Sequence, residues 1–286
     1  MLVAHVEQSG VWSVLGGMHC VAQAVAARAA AQGAVFRYGC AVEEIVTHDG
    51  AATGVVLESG EVIAADVVIS NADVAALSSG LLGKSVTTAT PRVAASQRSL
   101  SAFTLALVGS VSGFPLHRHN VFFSDDYARE FADIRARARL PTSPTVYVCA
   151  QDRDDACVAS GAPERLFCIV NAPANGDTHA FTEDETTRCK AAVFALFAKH
   201  GLDVDFQPAN LIGTTPNEFA RRFPGAGGAL YGRAPHGWLS SFQRPGVRST
   251  IRGLYLAGGS THPGPGVAMA ALSGHHAAIE VLKDFP

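Results

Sequence analysis

The order of apolar and polar positions predicts a chain that begins and ends in α/β units. After Gly16-Gly17-Met18, residues 19–32 place Val21, Ala24, Val25 and Ala29 at helical spacing. Gly33 supplies the left-handed stop that such a helix needs. Short β-type segments follow at 35–38, 41–47, 53–57 and 61–64, with Asp49-Gly50 and Ser59-Gly60 as turn signals. Residues 66–70, DVVIS, form a continuous apolar run, the pattern of a strand buried on both faces.

From about 85 to 210 the texture changes. Residues 99–108, 120–124, 145–150 and 166–171 read as strands, and 127–140 and 183–200 as helices, with long polar or proline-bearing loops between them. This is an α+β insert, and it holds no motif. Asp152-Arg153-Asp154-Asp155 lacks the glycine and distal glutamate of a calcium loop and reads as a solvated turn. His117 and His119 alternate as strand ligands would, but no third ligand accompanies them, so an exposed loop is the reading.

The last quarter is the most structured in pattern. Phe223-Pro224-Gly225-Ala226-Gly227-Gly228 is a loop of permissive backbone. The buried strand 253–257 runs into the glycine-rich stretch 258–266, and 267–282 then reads as a helix. Its early residues are small: Ala268, Ala270, Ala271, Ser273 and Gly274. A strand, a glycine turn and a small-residue helix start present bare N–H groups and a positive dipole end. A tight connection packed on a sheet explains the same pattern equally well.

Composition narrows the choices. With 48% hydrophobic and 16% charged residues among 286, the chain is not intrinsically disordered. A net charge of -3 and a pI near 6.4 leave no basic field for a nucleic-acid backbone. Cysteines 20, 40, 149, 157, 168 and 189 include no CxxC pair and predict buried, reduced thiols of an intracellular protein rather than a zinc site. His5 and Glu7 stand where a signal peptide needs a cationic start and an apolar core. No run of about 18 apolar residues is present for a spanning helix. A mean hydropathy of +0.18 leaves attachment to a lipid surface open.

Residues 254–274, LYLAGGSTHPGPGVAMAALSG, closely resemble the C-terminal FAD-binding signature of the phytoene desaturase-like flavoproteins. The spelling is nearest that of the bacterial hydroxyneurosporene (methoxyneurosporene) desaturases of carotenoid synthesis. Gly16-Gly17-Met18-His19, ADVVISNAD (65–73) and GAGGALYG (225–232) occur in the matching order, so the resemblance spans nearly the whole chain. Two departures stand out. Ala268 replaces the family's usual proline in the first helical turn, where proline suits because its missing N–H is not needed. No GxGxxG occurs, so the resemblance implies the C-terminal part of a longer protein. The missing N-terminal segment would carry most of the dinucleotide grip.

That resemblance implies an α/β fold: a partial FAD-binding, Rossmann-like domain of the amine-oxidase type with an inserted α+β substrate domain. By the same resemblance, residues 1–84 belong to the FAD-binding part, 85–210 to the substrate domain, and 211–286 return to the FAD-binding part. The implied cofactor is FAD. Gly258 and Gly259 would let the strand end approach the ribityl–pyrophosphate stretch, and Ser260 would supply a neutral hydroxyl. Gly264, Pro265 and Gly266 would form the turn against the isoalloxazine, with backbone N–H groups of Val267, Ala268 or Met269 facing a flavin carbonyl. Val42 meets adenine through its backbone, or is a plain core valine. Asn71 lines the cofactor channel or caps the following turn. His262 is better explained by loop structure than as an acid/base, and no catalytic residue is assigned. The implied partners are an acyclic carotenoid, the missing N-terminal segment and a peripheral membrane surface, placing the protein in the cytoplasm against the inner membrane. The chain alone is expected to be inactive. Two readings stay open beside desaturation: a truncated fragment without activity, and a carotenoid or retinoid isomerase or saturase on the same fold.

Overall fold

The computed structural model describes residues 10, 12, 14–153, 163–234 and 243–286. Asp154, Asp155 and Cys157, like residues 1–9, lie outside the described residues. Two compact units form, Met1–Ala41 and Val42–Pro286. In the first, α1 (His19–Ala30) is followed by three turn residues. The strand expected at 35–38 does not form. Phe36 and Tyr38 stack on each other in exposed chain, because an extended apolar run without a pairing partner leaves its backbone to water.

Three sheets organise the second unit. Strands β1 (Val42–His48), β2 (Ala51–Leu57) and β3 (Val62–Ala64) make an antiparallel meander. Strand β4 (Val68–Ser70) pairs in parallel with the late strand Leu254–Leu256. Between them in sequence lie the short helix α2 (Val74–Ser78), strands β5 (Ser101–Ser112) and β6 (His119–Phe122), and helix α3 (Tyr127–Arg135). Strands β7 (Val146–Ala150) and β8 (Glu164–Ala172) and helix α4 (Glu183–Lys199) come next, then β9 (Asp203–Asp205), β10 (Leu211–Thr214) and helix α5 (Pro216–Arg222). The chain closes with β11 (Leu254–Leu256) and helix α6 (Val267–Asp284). The antiparallel sheet runs β10-β5-β8-β7-β6, with β9 joined to the far end of β5.

Helix α4 forms because Thr182 and Glu185 cap it reciprocally, with N···O distances of 3.2 and 3.0 Å, while Glu183, Asp184 and Glu185 meet its positive end. Its Cys189, Val193, Leu196 and Phe197 recur at helical spacing and are buried with Phe103, Leu105, Val146, Val148, Leu166 and Val170 of the sheet. Cys168 joins that core, and burial pushes its thiol and that of Cys189 up to about 12, which keeps both protonated. The burial expected of the thiols stops there: Cys20 and Cys149 are half-buried and Cys40 is exposed.

Other expectations are corrected. Helix α3 ends at Arg135, not 140. Asp133, buried, gathers Arg137, Arg139 and both the N–H and hydroxyl of Thr142, which folds the following chain back over the helix end. Burial raises this carboxyl, but those hydrogen bonds outweigh burial and bring it down to about 2. Strand β4 is not buried on both faces, since Ile69 is 49% exposed in its two-stranded sheet. Arg153 does not sit in a solvated turn. It is buried in an ion pair with Glu164. His117 and His119 are exposed, but His119 opens strand β6 opposite Cys149 instead of standing in the expected loop, and no cluster of metal-ligating residues exists among the described residues.

Candidate functional site

Parallel strands deliver the chain to the same edge of their sheet, and ligands of such sheets bind beyond the strands' carboxyl ends. Here β4 ends at Ser70 and β11 at Leu256, in register Leu254↔Val68, Tyr255↔Ile69 and Leu256↔Ser70. Residues Asn71–Asp73 and Gly258–Ser260 therefore emerge side by side. Gly258 has φ +111°, a conformation that side-chain-bearing residues rarely adopt, and a Cβ there would stand 2.5 Å from Asn71 Oδ1 and push that amide aside. The Gly258 N–H donates to Ser273 Oγ (2.7 Å), whose hydroxyl donates to the Ala270 carbonyl, tying the strand end to α6. Ser260 Oγ accepts from the Val74 N–H at 3.1 Å, and Arg244 donates to the Gly259 carbonyl at 3.1 Å.

A third segment closes the space. Residues 230–234 run beside 97–100, with Leu230 N donating to Leu100 O and Ser99 N to Gly232 O. A Cβ on Gly232 would lie 3.0 Å from the Ser260 Cβ and 3.3 Å from Asp73 Oδ2. Asn71, Asp73, Leu230, Gly232, Gly259 and Ser260 thus converge on one cavity of about 240 Å³, with Phe219 and Phe223 on its apolar side. Burial raises the Asp73 carboxyl above its ordinary range, against the Ala75 N–H and the charges of Arg244 and Arg98. Burial likewise lowers Arg244.

Beyond Ser260 the chain turns into α6. Gly264 lies against the Arg244 side chain, and Pro265 lies against Gly259. Gly266 has φ +110° and ψ 146°, and a Cβ there would meet no atom of the described residues within 4 Å beyond its chain neighbours. The first intrahelical bond runs from Ala270 N to Gly266 O, leaving the N–H groups of Val267, Ala268 and Met269 without helical acceptors. Val267 is exposed, so this helix start faces open space. Thr261 Oγ1, fully buried just before it, has no hydrogen-bond partner among the described residues.

Nine of the ten residues expected at the site, Gly258, Gly259, Ser260, Gly264, Pro265, Gly266, Val267, Ala268 and Met269, form this continuous strand–turn–helix corner. Val42 lies on another sheet, opposite Leu57. His262 is exposed and its N–H donates to Pro245 O. Asn71 lines the cavity, while the cap of α2 is Asp73, which accepts from Ala75 N at 2.9 Å. Sequence reasoning gave no role to Asp73, Arg244, Phe219 or Phe223. Asp73 had a signal, an aspartate three residues past a strand and directly before a short apolar helix. Arg244 had none.

An open α/β arrangement with an antiparallel insert and a glycine turn at the strand ends defines a nucleotide-cofactor enzyme corner. The family model of flavin containing amine oxidoreductases matches residues 2–282, and the chain belongs to that family. The sequence-based expectations of fold and of FAD as cofactor stand with it. The chain is 55% identical over 282 residues to a hydroxyneurosporene desaturase of Rubrivivax gelatinosus, covering 99% of this chain and 54% of that protein. It is 42% identical over 283 residues to a hydroxyneurosporene desaturase of Cereibacter sphaeroides, covering 99% of this chain and 56% of the relative. The chain therefore spans about half the length of the curated relatives it matches. A crystal structure of an oxidoreductase from Methanosarcina mazei superposes with a TM-score of 0.54 at 17% identity, over 92% of this chain and 54% of that one, and shares the fold.

Proposed function

We propose that this chain is the flavin-turn and substrate-floor portion of an FAD-dependent desaturase acting on an acyclic carotenoid such as hydroxyneurosporene or methoxyneurosporene. The 55% identity to a hydroxyneurosporene desaturase over 99% of the chain carries this reading. Because the match covers 54% of that relative, the activity belongs to the chain completed by an N-terminal half of the same kind.

The corner fits a flavin. Open space at the Gly266 Cβ position among the described residues and three N–H groups without helical acceptors fit a flat, acceptor-rich group, and the buried Thr261 Oγ1 just before them lacks a partner among those residues. Bound there, FAD supplies the two-electron acceptor that no side chain provides. Val267, Ala268 and Met269 would hold it through their backbone N–H groups, and a helix start favours negative charge at that point. Residues 85–210 serve as the substrate part. The face of the antiparallel sheet away from α4 carries Val121, Tyr147, Phe167 and Ile169, an apolar floor suited to a polyene. A polyene arrives from a bilayer, so the completed protein works at the cytoplasmic face of the inner membrane; no helix among the described residues is long and apolar enough to cross it.

The test is expression of the completed protein, this chain joined to the N-terminal half of the Rubrivivax relative, in cells that accumulate hydroxyneurosporene. Each added conjugated double bond lowers the excitation energy, so the carotenoid extract is expected to shift to the red. An unchanged spectrum from a flavin-loaded protein contradicts desaturation. A cis–trans or hydrogen-added product moves the assignment to an isomerase or saturase.

A further inference from the structure

The cavity beyond the strand ends contains, among the described residues that line it, one carboxylate. Asp73 enters it from the loop after β4, with Oδ1 held by the Ala75 N–H at 2.9 Å and Oδ2 toward Gly232. No hydrogen bond reaches Oδ2 from the described residues. The charged groups that act on Asp73 are Arg244 and Arg98, and both spend their hydrogen bonds elsewhere. Arg244 donates to the carbonyls of Gly259 and Arg233, and Arg98 forms a two-point pair with Asp177 at 2.9 and 2.7 Å. The result is a carboxylate fixed at one oxygen and, among the described residues, free at the other, in a cavity that Leu230, Phe219 and Phe223 also line.

The neighbours give that free oxygen a purpose. Gly259 and Ser260 share the cavity wall with Asp73, and Ser260 is bonded to Val74, the residue next to it. Asp73 is therefore locked to the strand end that leads into the flavin turn. Leu230 lines both this cavity and a larger one of about 720 Å³ that includes Ala102, Ile169 and Asn171 of the sheet floor. Asp73 stands where the cofactor corner meets the floor assigned to the polyene.

We infer that Asp73 is the proton acceptor of the dehydrogenation, an assignment that rests on the desaturase reading above. One substrate C–H bond breaks with its electron pair passing as hydride to the oxidised flavin. The C–H bond on the adjacent carbon breaks with its pair forming the new C=C bond, and its proton goes to Asp73 Oδ2. The acid then returns the proton to water past Asn71, which is exposed at the cavity wall. A carboxylate with a free oxygen in a partly apolar cavity is a stronger base than one in water, and burial raises this one accordingly.

Asp73→Asn in the completed protein separates this role from structure, because asparagine caps a helix as well as aspartate does. Flavin content is expected to equal that of the wild type, and the desaturation rate to fall about 100-fold or more, the scale of a lost general base. Asp73→Glu keeps a carboxyl and is expected to lie between the two. A second readout needs no turnover. The infrared difference between wild type and Asp73→Asn, followed against pH, is expected to show a carboxyl band titrating above the ordinary aspartate range. Wild-type turnover in Asp73→Asn overturns the assignment while leaving the desaturase reading intact. Loss of flavin from Asp73→Asn, or a carboxyl titrating at its ordinary value, overturns it as well. A flavin-loaded wild type that leaves the carotenoid unchanged overturns the desaturase reading and this step together.

Discussion

Gly266→Val is expected to strip the flavin from the completed protein while leaving most of its fold in place. The backbone at Gly266, φ +110° and ψ 146°, is one that side-chain-bearing residues rarely adopt, which costs about 1–3 kcal/mol. Among the described residues beyond its chain neighbours, no atom lies within 4 Å of the new Cβ, so the added side chain meets no described contact there. Its branched carbons occupy instead the open space before the N–H groups of Val267, Ala268 and Met269. Close approach at this glycine thus has a specific meaning: the approach is the ligand's, not the protein's. Absorbance of bound flavin per protein, with a thermal melt alongside, checks it. Near-complete flavin loss with a melt lowered by only a few degrees is the expected pair of results.

Glu164→Ala is expected to be among the most destabilising single changes in the insert. Glu164 and Arg153 are both buried and bonded twice, at 2.7 and 2.8 Å, while Arg153 Nη1 also donates to the Leu116 carbonyl. Removing the carboxylate takes away the two-point partner of a buried guanidinium, which keeps its bond to the Leu116 carbonyl, at a cost of about 3–5 kcal/mol. Replacing both residues, Arg153→Met with Glu164→Leu, removes the buried charge and is expected to recover most of the loss. Chemical denaturation of the three proteins measures this directly. A single mutant as stable as the wild type would mean that the Glu164 carboxylate does not hold Arg153 in the core.

The first helix and the glycine corner near the end of the chain were legible because their signals are local. A glycine run between an apolar strand and a small-residue helix leaves few conformations open, and the structure forms nine of the expected site residues into one corner. The alternating strands of the insert were found to within a few residues for the same reason. The features that escaped sequence reading depend on contacts distant in sequence. Residues 35–38 carry strand-forming side chains but no partner. Helix α3 stops where Asp133 captures Thr142, nine positions away. Asp73 could be seen as a cap, but its cavity exists only when residues 230–232 and 258–260 fold against it. Arg153 looked like a turn residue because nothing nearby announces a glutamate eleven positions on.

The most direct test of the central claim is an anaerobic single-turnover experiment on the completed, flavin-loaded protein with hydroxyneurosporene. If the corner at 258–269 serves a flavin that oxidises the polyene, the yellow flavin absorbance bleaches as the carotenoid spectrum moves to the red. One double bond then forms per flavin reduced, and both changes vanish in Gly266→Val. A carotenoid that changes while the flavin stays oxidised, or a flavin that stays oxidised over an unchanged carotenoid, contradicts the account.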